Sequence, residues 1–233
     1  MSPTGVKPST NFDEYAVNYE ELLNQSVSVS GESVEYFASM KANYLQRRLG
    51  NCFSGNILDY GCGIGMLSRC VAEAFPGARI DGFDPSDKSI SQIPKSTASR
   101  GLFTSKRTSL RSDYDLIIIA NVMHHVPLDA RQQLISGLVP HMSPGGQVVV
   151  FEHNPLNPLT RRSVSLCPFD ADAVLLWPSE LRGYLTQAGL STTRRDYITF
   201  FPRFLKWFRP LEPGLRWCSM GAQYTLTGIM GKR

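Results

Sequence analysis

Short apolar runs alternate with longer, helix-like segments along the middle of the chain. Strands are predicted near Ile57, Ile80, Leu102, Leu116 and Val148. This alternation is typical of a mostly parallel sheet with helices on both faces. Residues 116–120 are apolar at every position, as in a strand whose two faces are both covered, so this strand is predicted to be central.

Further elements flank this alternating region. A helix is predicted over about 32–49, and a cap-like start at 11–14 predicts a helical segment before it. A helix over 178–188 and two strands over about 192–200 and 223–230 follow. The two strands are predicted to form a terminal antiparallel pair. The expected fold is therefore α/β, with a seven-stranded, mostly parallel sheet and helices on both faces.

Composition favours one domain without a membrane span. With 233 residues, of which 42% are apolar, the chain is long enough for a single α/β core. Its cysteines, at positions 52, 62, 70, 167 and 218, show no paired metal-binding spacing. No apolar stretch approaches the roughly 20 residues that span a bilayer. A reduced, cytoplasmic location is expected.

Positive charge is concentrated in the last part of the chain. Residues 191–233 hold eight Lys/Arg and two Asp/Glu, and the segment 200–210 interleaves aromatic and basic side chains. Such a segment can pack its aromatics on the core as a lid, contact a membrane surface or a lipid-linked substrate, or bind nucleic acid. We expect no nucleic-acid partner and retain peripheral membrane contact through 200–210 as a hypothesis.

The motif with the clearest chemistry is the apolar strand that ends in the glycines of 57–65. Glycine lets backbone N–H groups approach a ligand where a side chain would clash. The glycines fall at 61, 63 and 65, so the third comes one residue earlier than in a dinucleotide fingerprint. Asp59 would repel a pyrophosphate but suits a cationic amino acid group. The motif therefore indicates a nucleotide-like cofactor and disfavours NAD.

A second acid stands at the end of the next predicted strand. Asp84 lies 19 residues beyond Gly65, a spacing that covers one helix and a Pro-Gly turn. Because the carboxyl ends of neighbouring parallel strands lie side by side, Asp84 is expected near the glycine loop. There its carboxylate is placed to accept hydrogen bonds from ribose hydroxyls.

Four segments together resemble the class I S-adenosylmethionine-dependent methyltransferases of small-molecule type, over about residues 55–155. They read ILDYGCGIG, IDGFDPS, DYDLIIIANVMHHV and MSPGGQVVVFEH. The resemblance implies a Rossmann-like fold, S-adenosyl-L-methionine as cofactor and S-adenosyl-L-homocysteine as product. It also implies cofactor contacts from the glycine loop and from the strand exits, at Asp59, Gly61, Cys62, Gly63, Gly65, Asp84, Pro85, Ser105, Asn121 and Val122.

The resemblance also suggests how the chain is divided. An N-terminal helical lid over 1–50 is expected ahead of a methyltransferase domain over 51–233, with acceptor-side insertions at about 155–177 and 201–219. Tyr15 and Tyr19 share one helix face at i, i+4 spacing and are expected to close over the cofactor. A tyrosine pair packed on the edge of the domain is the alternative.

Polar side chains after the fourth and fifth strands are candidates for the acceptor side. His124 and His125 are the candidate general bases, because a histidine with a pKa near neutrality can deprotonate a hydroxyl or an amine. Histidines held by backbone at the start of a helix are the alternative. Four residues are expected to shape the acceptor pocket: Glu152, His153, Asn154 and Arg161. The alternative is that the Asn-Pro pairs there only turn the chain.

The resulting hypothesis is an enzyme that transfers a methyl group in line to a small-molecule acceptor, lipid-linked and anionic acceptors included. Lys41 is an unassigned candidate for holding an anionic acceptor. The alternatives are a cofactor-binding protein without turnover and a methyltransferase of a macromolecule. The latter often carries Asp/Asn-Pro-Pro-Tyr/Phe after the fourth strand, and residues 121–124 lack it. No metal is expected, because no H-x-x-x-H or carboxylate pair supports one. A monomer or a homodimer is expected.

Overall fold

The computed structural model describes residues 30–167, 170, 172–193 and 195–231. Tyr15 and Tyr19 lie outside the described residues, and so does the helical segment predicted to start at 11–14.

One mixed sheet organises the described part of the chain. Its strands are β1 Asn56–Tyr60, β2 Arg79–Phe83, β3 Phe103–Thr104, β4 Tyr114–Ala120, β5 Met142–His153, β6 Ser191–Thr192, β7 Asp196–Ile198 and β8 Gln223–Ile229. The order across the sheet is β3-β2-β1-β4-β5-β8-β6, and β7 also pairs with β8. Strands β1 to β5 are parallel, whereas β8 is antiparallel to β5, β6 and β7. The predicted mostly parallel sheet with an antiparallel end is confirmed.

The predicted strand over 192–200 is divided in two. Ser191 and Thr192 pair with Ile229 and Gly228, but Asp196 pairs with Thr225. From Thr192 to Asp196 the chain advances four residues, whereas their partners Gly228 and Thr225 are three residues apart on β8. One extra residue therefore separates β6 from β7. An extra residue of this kind bends a strand and interrupts its ladder. The sheet therefore has eight strands among the described residues rather than seven.

Helices cover both faces of the sheet, as predicted. The α-helices are α1 Val34–Leu49, α2 Met66–Ala74, α3 Asp87–Ser91, α4 Lys95–Ala98, α5 Arg131–Ser136, α6 Pro158–Leu166 and α7 Pro178–Gln187. Single 3₁₀ turns occur at Arg107–Ser109, Met123–His125 and Val139–His141, and a longer 3₁₀ segment covers Arg203–Leu215. Ser33 caps α1, since its hydroxyl accepts from Tyr36 N. The predicted helices at 32–49 and 178–188 are confirmed to within two residues.

The core is divided into two layers by the central strand β4. Leu116 and Ile118 belong to the cluster under α1 and α2, whereas Ile117 and Ile119 belong to the cluster under α5 and α7. All four side chains are fully buried. Successive residues of a strand face opposite sides, so an uninterrupted apolar run is required where both sides are covered. The prediction that 116–120 is a central strand is confirmed.

The order of the strands determines where a ligand-binding site is expected. The strand order reverses between β1 and β4, which are neighbours in the sheet although β2 and β3 come between them in sequence. Open α/β sheets bind ligands in the crevice at the carboxyl ends of the strands at such a switch point. The loops that follow β1, β2, β4 and β5 meet there.

Candidate functional site

The glycine loop connects β1 to α2 at this switch point. Gly61, Gly63 and Gly65 have positive φ angles of 81°, 53° and 79°, a conformation that other residues rarely adopt. A Cβ atom on Gly61 would clash with Val122 Cγ2. The backbone N–H groups of Gly61 and of the buried Cys62 both donate to the carbonyl oxygen that ends β2, at 2.7 and 3.0 Å. The loop is thus a close-packed backbone cradle that requires glycine.

Asp84 lies at the end of β2 beside this loop. Its Oδ2 atom accepts a hydrogen bond from Gly63 N at 2.8 Å, and its Oδ1 atom accepts one from Ser86 N at 3.0 Å. The half-buried carboxylate therefore connects the second strand exit to the glycine loop. The sequence spacing predicted this proximity. Pro85, the next residue, is exposed.

Two buried ionisable side chains line the floor of the cleft. Asp59 is 2% exposed and accepts from Ser68 Oγ at 2.6 Å. Burial raises the pKa of the Asp59 carboxyl to about 6. Lys41 reaches the cleft from α1 and is 7% exposed. Burial lowers the pKa of the Lys41 ammonium to about 8, against the opposing influence of Glu152 and Asp59. The cleft thus combines a buried acid with a buried cation.

These groups border one cavity of about 200 Å³. It lies between the glycine loop, α1 and the exits of β4 and β5. Among its lining residues are Lys41, Asp59, Gly61, Cys62, Gly63, Ala120, Asn121, His124, His125, His153, Asp170 and Gln223. Several residues predicted to contact a cofactor and several predicted for the acceptor therefore share one cavity.

A histidine and carboxylate cluster forms the far wall of the cleft. His124 is 2% exposed; its Nδ1 atom donates to Glu152 Oε2 at 2.7 Å, and its Nε2 atom lies 3.4 Å from Asp170 Oδ1. Burial alone would lower the pKa of His124, but the two carboxylates raise it to about 9. His125 Nε2 lies 3.3 Å from the same Asp170 oxygen. Burial and the charge of His124 lower the pKa of His125 to about 4.

Asn121 and His153 form the junction beside this cluster. The Asn121 side-chain nitrogen lies 2.8 Å from His153 Nε2. Asn121 has a positive φ of 57°, and its backbone N–H donates to Phe151 O at 2.9 Å, so the turn after β4 is anchored to β5. Burial, followed by the charge of His124, lowers the pKa of His153 to about 4. His153 is therefore neutral at neutral pH.

A second, more apolar cavity of about 290 Å³ adjoins the first. Phe37, His153, Ser163 and Gln223 line both cavities. The remaining lining residues come largely from α6 and the segment after β7, and include Asn157, Leu159, Thr160, Phe200, Phe201 and Phe204. A ligand in the apolar cavity would thus meet a ligand in the first cavity at His153.

Eight predicted site residues line neither cavity: Gly65, Asp84, Pro85 and Val122, and the four described next. Glu152 is fully buried behind His124, and its Oε1 atom accepts from Met123 N. Asn154 is fully buried and donates to two backbone carbonyls, which fixes the chain exit as the alternative interpretation expected. Arg161 is exposed on α6, and Ser105 donates to Asp87. None of these four side chains lines either cavity.

The 3₁₀ segment Arg203–Leu215 carries its aromatic residues outward. Phe204 and Trp207 are 77% and 81% exposed, and Phe208 is 49% exposed. Lys206 Nζ lies 5.5 Å from the centroid of the Trp207 ring. The alternative in which this segment packs its aromatics on the core is therefore wrong for Phe204 and Trp207. Among the described residues, no helix is both long and apolar enough to cross a membrane.

Parts of the chain are similar in sequence to known methyltransferases. Residues 58–148 match the family described as "Methyltransferase domain". A protein of Rhizobium leguminosarum named ubiquinone biosynthesis O-methyltransferase is 28% identical over 171 residues, which are 65% of this chain and 65% of that protein. Ribosomal RNA small subunit methyltransferase C of Salmonella choleraesuis is 35% identical over 102 residues, 40% of this chain and 30% of that protein.

The fold is also similar to solved structures. A SAM-dependent methyltransferase from Archaeoglobus fulgidus superposes with a TM-score of 0.68 at 13% identity, covering 92% of this chain and 99% of that one. At this identity the similarity shows the fold alone. The family match covers the segment from β1 to β5, which forms the glycine loop and the adjacent strand exits. Residues 58–148 thus match a methyltransferase domain, and the fold around them is that of solved S-adenosylmethionine-dependent methyltransferases.

Proposed function

We propose that this protein transfers a methyl group from S-adenosyl-L-methionine to a small acceptor with an apolar body. One observation carries the proposal: a polar cleft at the glycine loop and an apolar cavity meet along a shared wall that includes His153. Two substrates can thereby lie end to end. Ligand sites of enzymes are typically apolar cavities with a few polar groups that fix orientation.

The chemistry of the first cavity fits the cofactor. The glycine loop borders this cavity at Gly61, Cys62 and Gly63, where the backbone of glycine can approach a ligand closely. Asp59 lines the cavity where a cationic amino group would gain from a buried negative charge. Asp84 does not line the cavity, but it is hydrogen-bonded to Gly63 at its edge and supplies a carboxylate for ribose hydroxyls. We assign the carboxylate of the methionine moiety to Lys41. Among the described residues, no group accepts a hydrogen bond from this buried ammonium, so an anionic ligand would satisfy it.

The second cavity fits the acceptor. Its aromatic and aliphatic walls suit an apolar ring or chain, and His153, Asn157 and Gln223 supply the polar contacts. The name of the Rhizobium relative supports oxygen as the methylated atom. The resemblance to the ribosomal RNA enzyme covers only 30% of that protein. A macromolecular acceptor is therefore the less supported alternative.

The chain's own contribution is mainly positioning and exclusion of water. When bound, the cofactor supplies a sulfonium methyl group for in-line transfer and leaves as S-adenosyl-L-homocysteine. We propose that His153 contacts the acceptor heteroatom through Nδ1, because Asn121 occupies Nε2. The orientation of the Asn121 amide then decides whether Nδ1 donates to this atom or accepts its proton. The proposal that His124 or His125 acts as general base stays a prediction.

We further propose that the segment 200–210 contacts a membrane surface from which an apolar acceptor is taken up. Phe204 supports this proposal, since it lines the apolar cavity and is also largely exposed. The neighbouring Trp207 and Lys206 form an aromatic and basic pair that suits the interface of an anionic bilayer. Flotation with anionic lipid vesicles tests it: Trp207→Ser should reduce the vesicle-bound fraction, while Leu128→Ser at an exposed site outside the segment should not.

Calorimetric titration with S-adenosyl-L-homocysteine, S-adenosyl-L-methionine and NAD tests the cofactor assignment. Both adenosyl ligands should bind and NAD should not, and Asp84→Asn should weaken binding while Asp129→Asn, at an exposed position, should not. Release of S-adenosyl-L-homocysteine with a panel of phenols and amines that carry apolar substituents then tests turnover. Binding without turnover on any acceptor would favour a binding protein, and binding of NAD alone would refute the proposal.

A further inference from the structure

The strongest unexplained feature is a cluster of side-chain atoms of the kind that bind metal ions. They are imidazole nitrogens of His124 and His125 and a carboxylate oxygen of Asp170. The Nε2 atoms of the two histidines point to the same Asp170 oxygen, at 3.4 and 3.3 Å. One donor atom from each of the three residues lies within 4.8 Å of the others. The two imidazole rings are tilted by 47° with their centroids 4.1 Å apart. The two imidazole nitrogens therefore converge on one carboxylate oxygen, close enough for all three residues to share an ion.

We propose that His124, His125 and Asp170 bind one divalent transition-metal ion at the wall of the cleft. Two imidazole nitrogens and one carboxylate oxygen are a ligand set that suits Zn²⁺, Mn²⁺, Co²⁺ or Fe²⁺ rather than Ca²⁺. Three protein ligands leave further positions of the ion for water or for another oxygen ligand. The sequence led us to expect no metal, because Asp170 lies 45 residues after His125 and belongs to no recognised ligand motif.

Glu152 supplies a second, independent observation. Its Oε2 atom accepts from His124 Nδ1 at 2.7 Å, and its Oε1 atom accepts from Met123 N at 2.8 Å. A metal-binding histidine commonly donates its other ring N–H to a carboxylate, which fixes the tautomer and orients the ligating nitrogen. This bond directs His124 Nε2 towards Asp170. Glu152 therefore acts as a positioning residue behind the ligand.

The charges around the cluster favour a cation. Glu152 is fully buried and Asp170 is largely buried, and both face His124. Two carboxylates in a poorly solvated place are costly unless positive charge lies between them. The His124 ring lies between them, and a divalent ion on its Nε2 side would take the place of the Nε2 proton, keep positive charge there and bring two imidazoles and a carboxylate into one coordination shell.

The position of the cluster gives the ion a role in the proposed methyl transfer. His124, His125 and Asp170 line the same cavity as the glycine loop and His153. An acceptor oxygen bound to the ion would be held at the junction of the two cavities and would lose its proton more readily. The metal proposal rests on the proposed function only for this role. Binding of the ion itself is measured without cofactor or acceptor.

Titration of the tag-free protein with Co²⁺ and Zn²⁺ after treatment with a chelator tests the site. We expect one Co²⁺ per chain with visible ligand-field absorption, and displacement of Co²⁺ by Zn²⁺. His125→Ala and Asp170→Ala should each weaken Co²⁺ binding by at least about 100-fold, and Glu152→Gln by about 10- to 100-fold. His141→Ala is the matched control, since this histidine hydrogen-bonds to Arg111 O away from the cluster. Its affinity should equal that of the wild type.

Three outcomes would overturn the metal site. They are no stoichiometric Co²⁺ binding by the wild type, equal binding by a folded His125→Ala variant, and an equal loss in the His141→Ala control. Circular dichroism and binding of S-adenosyl-L-homocysteine establish that each variant is folded; if Asp170→Ala is not, His125→Gln replaces it. Metal binding without methyl transfer would support the site and count against the proposed function, so the two failures are distinguishable.

Discussion

Replacing Lys41 by methionine should stabilise the protein and weaken cofactor binding at the same time. Methionine has a similar length and no charge, so the change removes the buried ammonium and leaves most of the packing on α1. Burial lowers the pKa of this ammonium from 10.5 to about 8. At about 1.4 kcal/mol per pKa unit, the buried charge costs at most about 3–4 kcal/mol of folding free energy below pH 8. The variant should recover part of this cost.

The sign of the pH dependence follows from the same shift. Because the folded-state pKa is lowered, the unfolded chain binds more protons between pH 8 and 10.5. The stability of the wild type should therefore rise relative to that of Lys41→Met across this window, and the difference should be largest below pH 8. A gain of 1 kcal/mol corresponds to roughly 2–4 °C in Tm for a chain of this length.

Binding should change in the opposite direction. A hydrogen bond to a charged group contributes about 1.5–3 kcal/mol, so loss of the contact to the cofactor carboxylate should weaken S-adenosyl-L-homocysteine binding by about 10- to 100-fold. Urea denaturation at pH 7 and pH 9.5 and calorimetric titration measure the two effects. Lys95→Met, at an exposed lysine, is the control and should change neither. A Lys41→Met variant that is less stable and binds the ligand normally would refute this assignment.

Three further predictions concern single residues. Gly61→Ala should lower stability by more than about 2 kcal/mol in urea denaturation, because its Cβ would meet Val122 and the backbone has a φ of 81°; an unchanged midpoint would contradict the close packing. His153→Gln should lower kcat by about 100-fold or more while leaving S-adenosyl-L-homocysteine affinity unchanged, and a change in affinity alone would place His153 on the cofactor. Burial raises the pKa of Cys62 well above its usual range, so a thiol reagent at pH 8 should modify the exposed Cys52 first; rapid labelling of Cys62, detected by peptide mapping, would count against this.

The cofactor side of the cleft could be predicted because its signals are local in sequence. Glycines at 61, 63 and 65 are required by the backbone of one loop, and Asp84 follows one βαβ unit later. The uninterrupted apolar run of β4 and the spacing of strands and helices determine where these residues meet. Strand bounds were harder to predict, because the bulge between β6 and β7 depends on pairing with β8.

The acceptor side depends on contacts between distant parts of the chain. Asp170 lies more than 40 residues after His125, and the same cavity includes Lys41 from the opposite flank of the sheet. The sequence around a lone aspartate or lysine outside a recognised motif does not indicate which residues its side chain will contact in the folded protein. Only the path of the chain after α6, and the packing of α1 against α2, bring these groups to the cleft.

Glu152 and His153 illustrate what strand geometry adds to a list of polar residues. Both belong to β5, where neighbouring side chains point to opposite faces of the sheet, and only His153 lines the cavities. His153 lies at the junction of the two cavities. Glu152 lies outside both cavities and accepts a hydrogen bond from His124 Nδ1. A residue that never meets the acceptor can thus still control the site, because the ring that it orients faces Asp170. The test of Glu152 is consequently metal affinity rather than acceptor specificity.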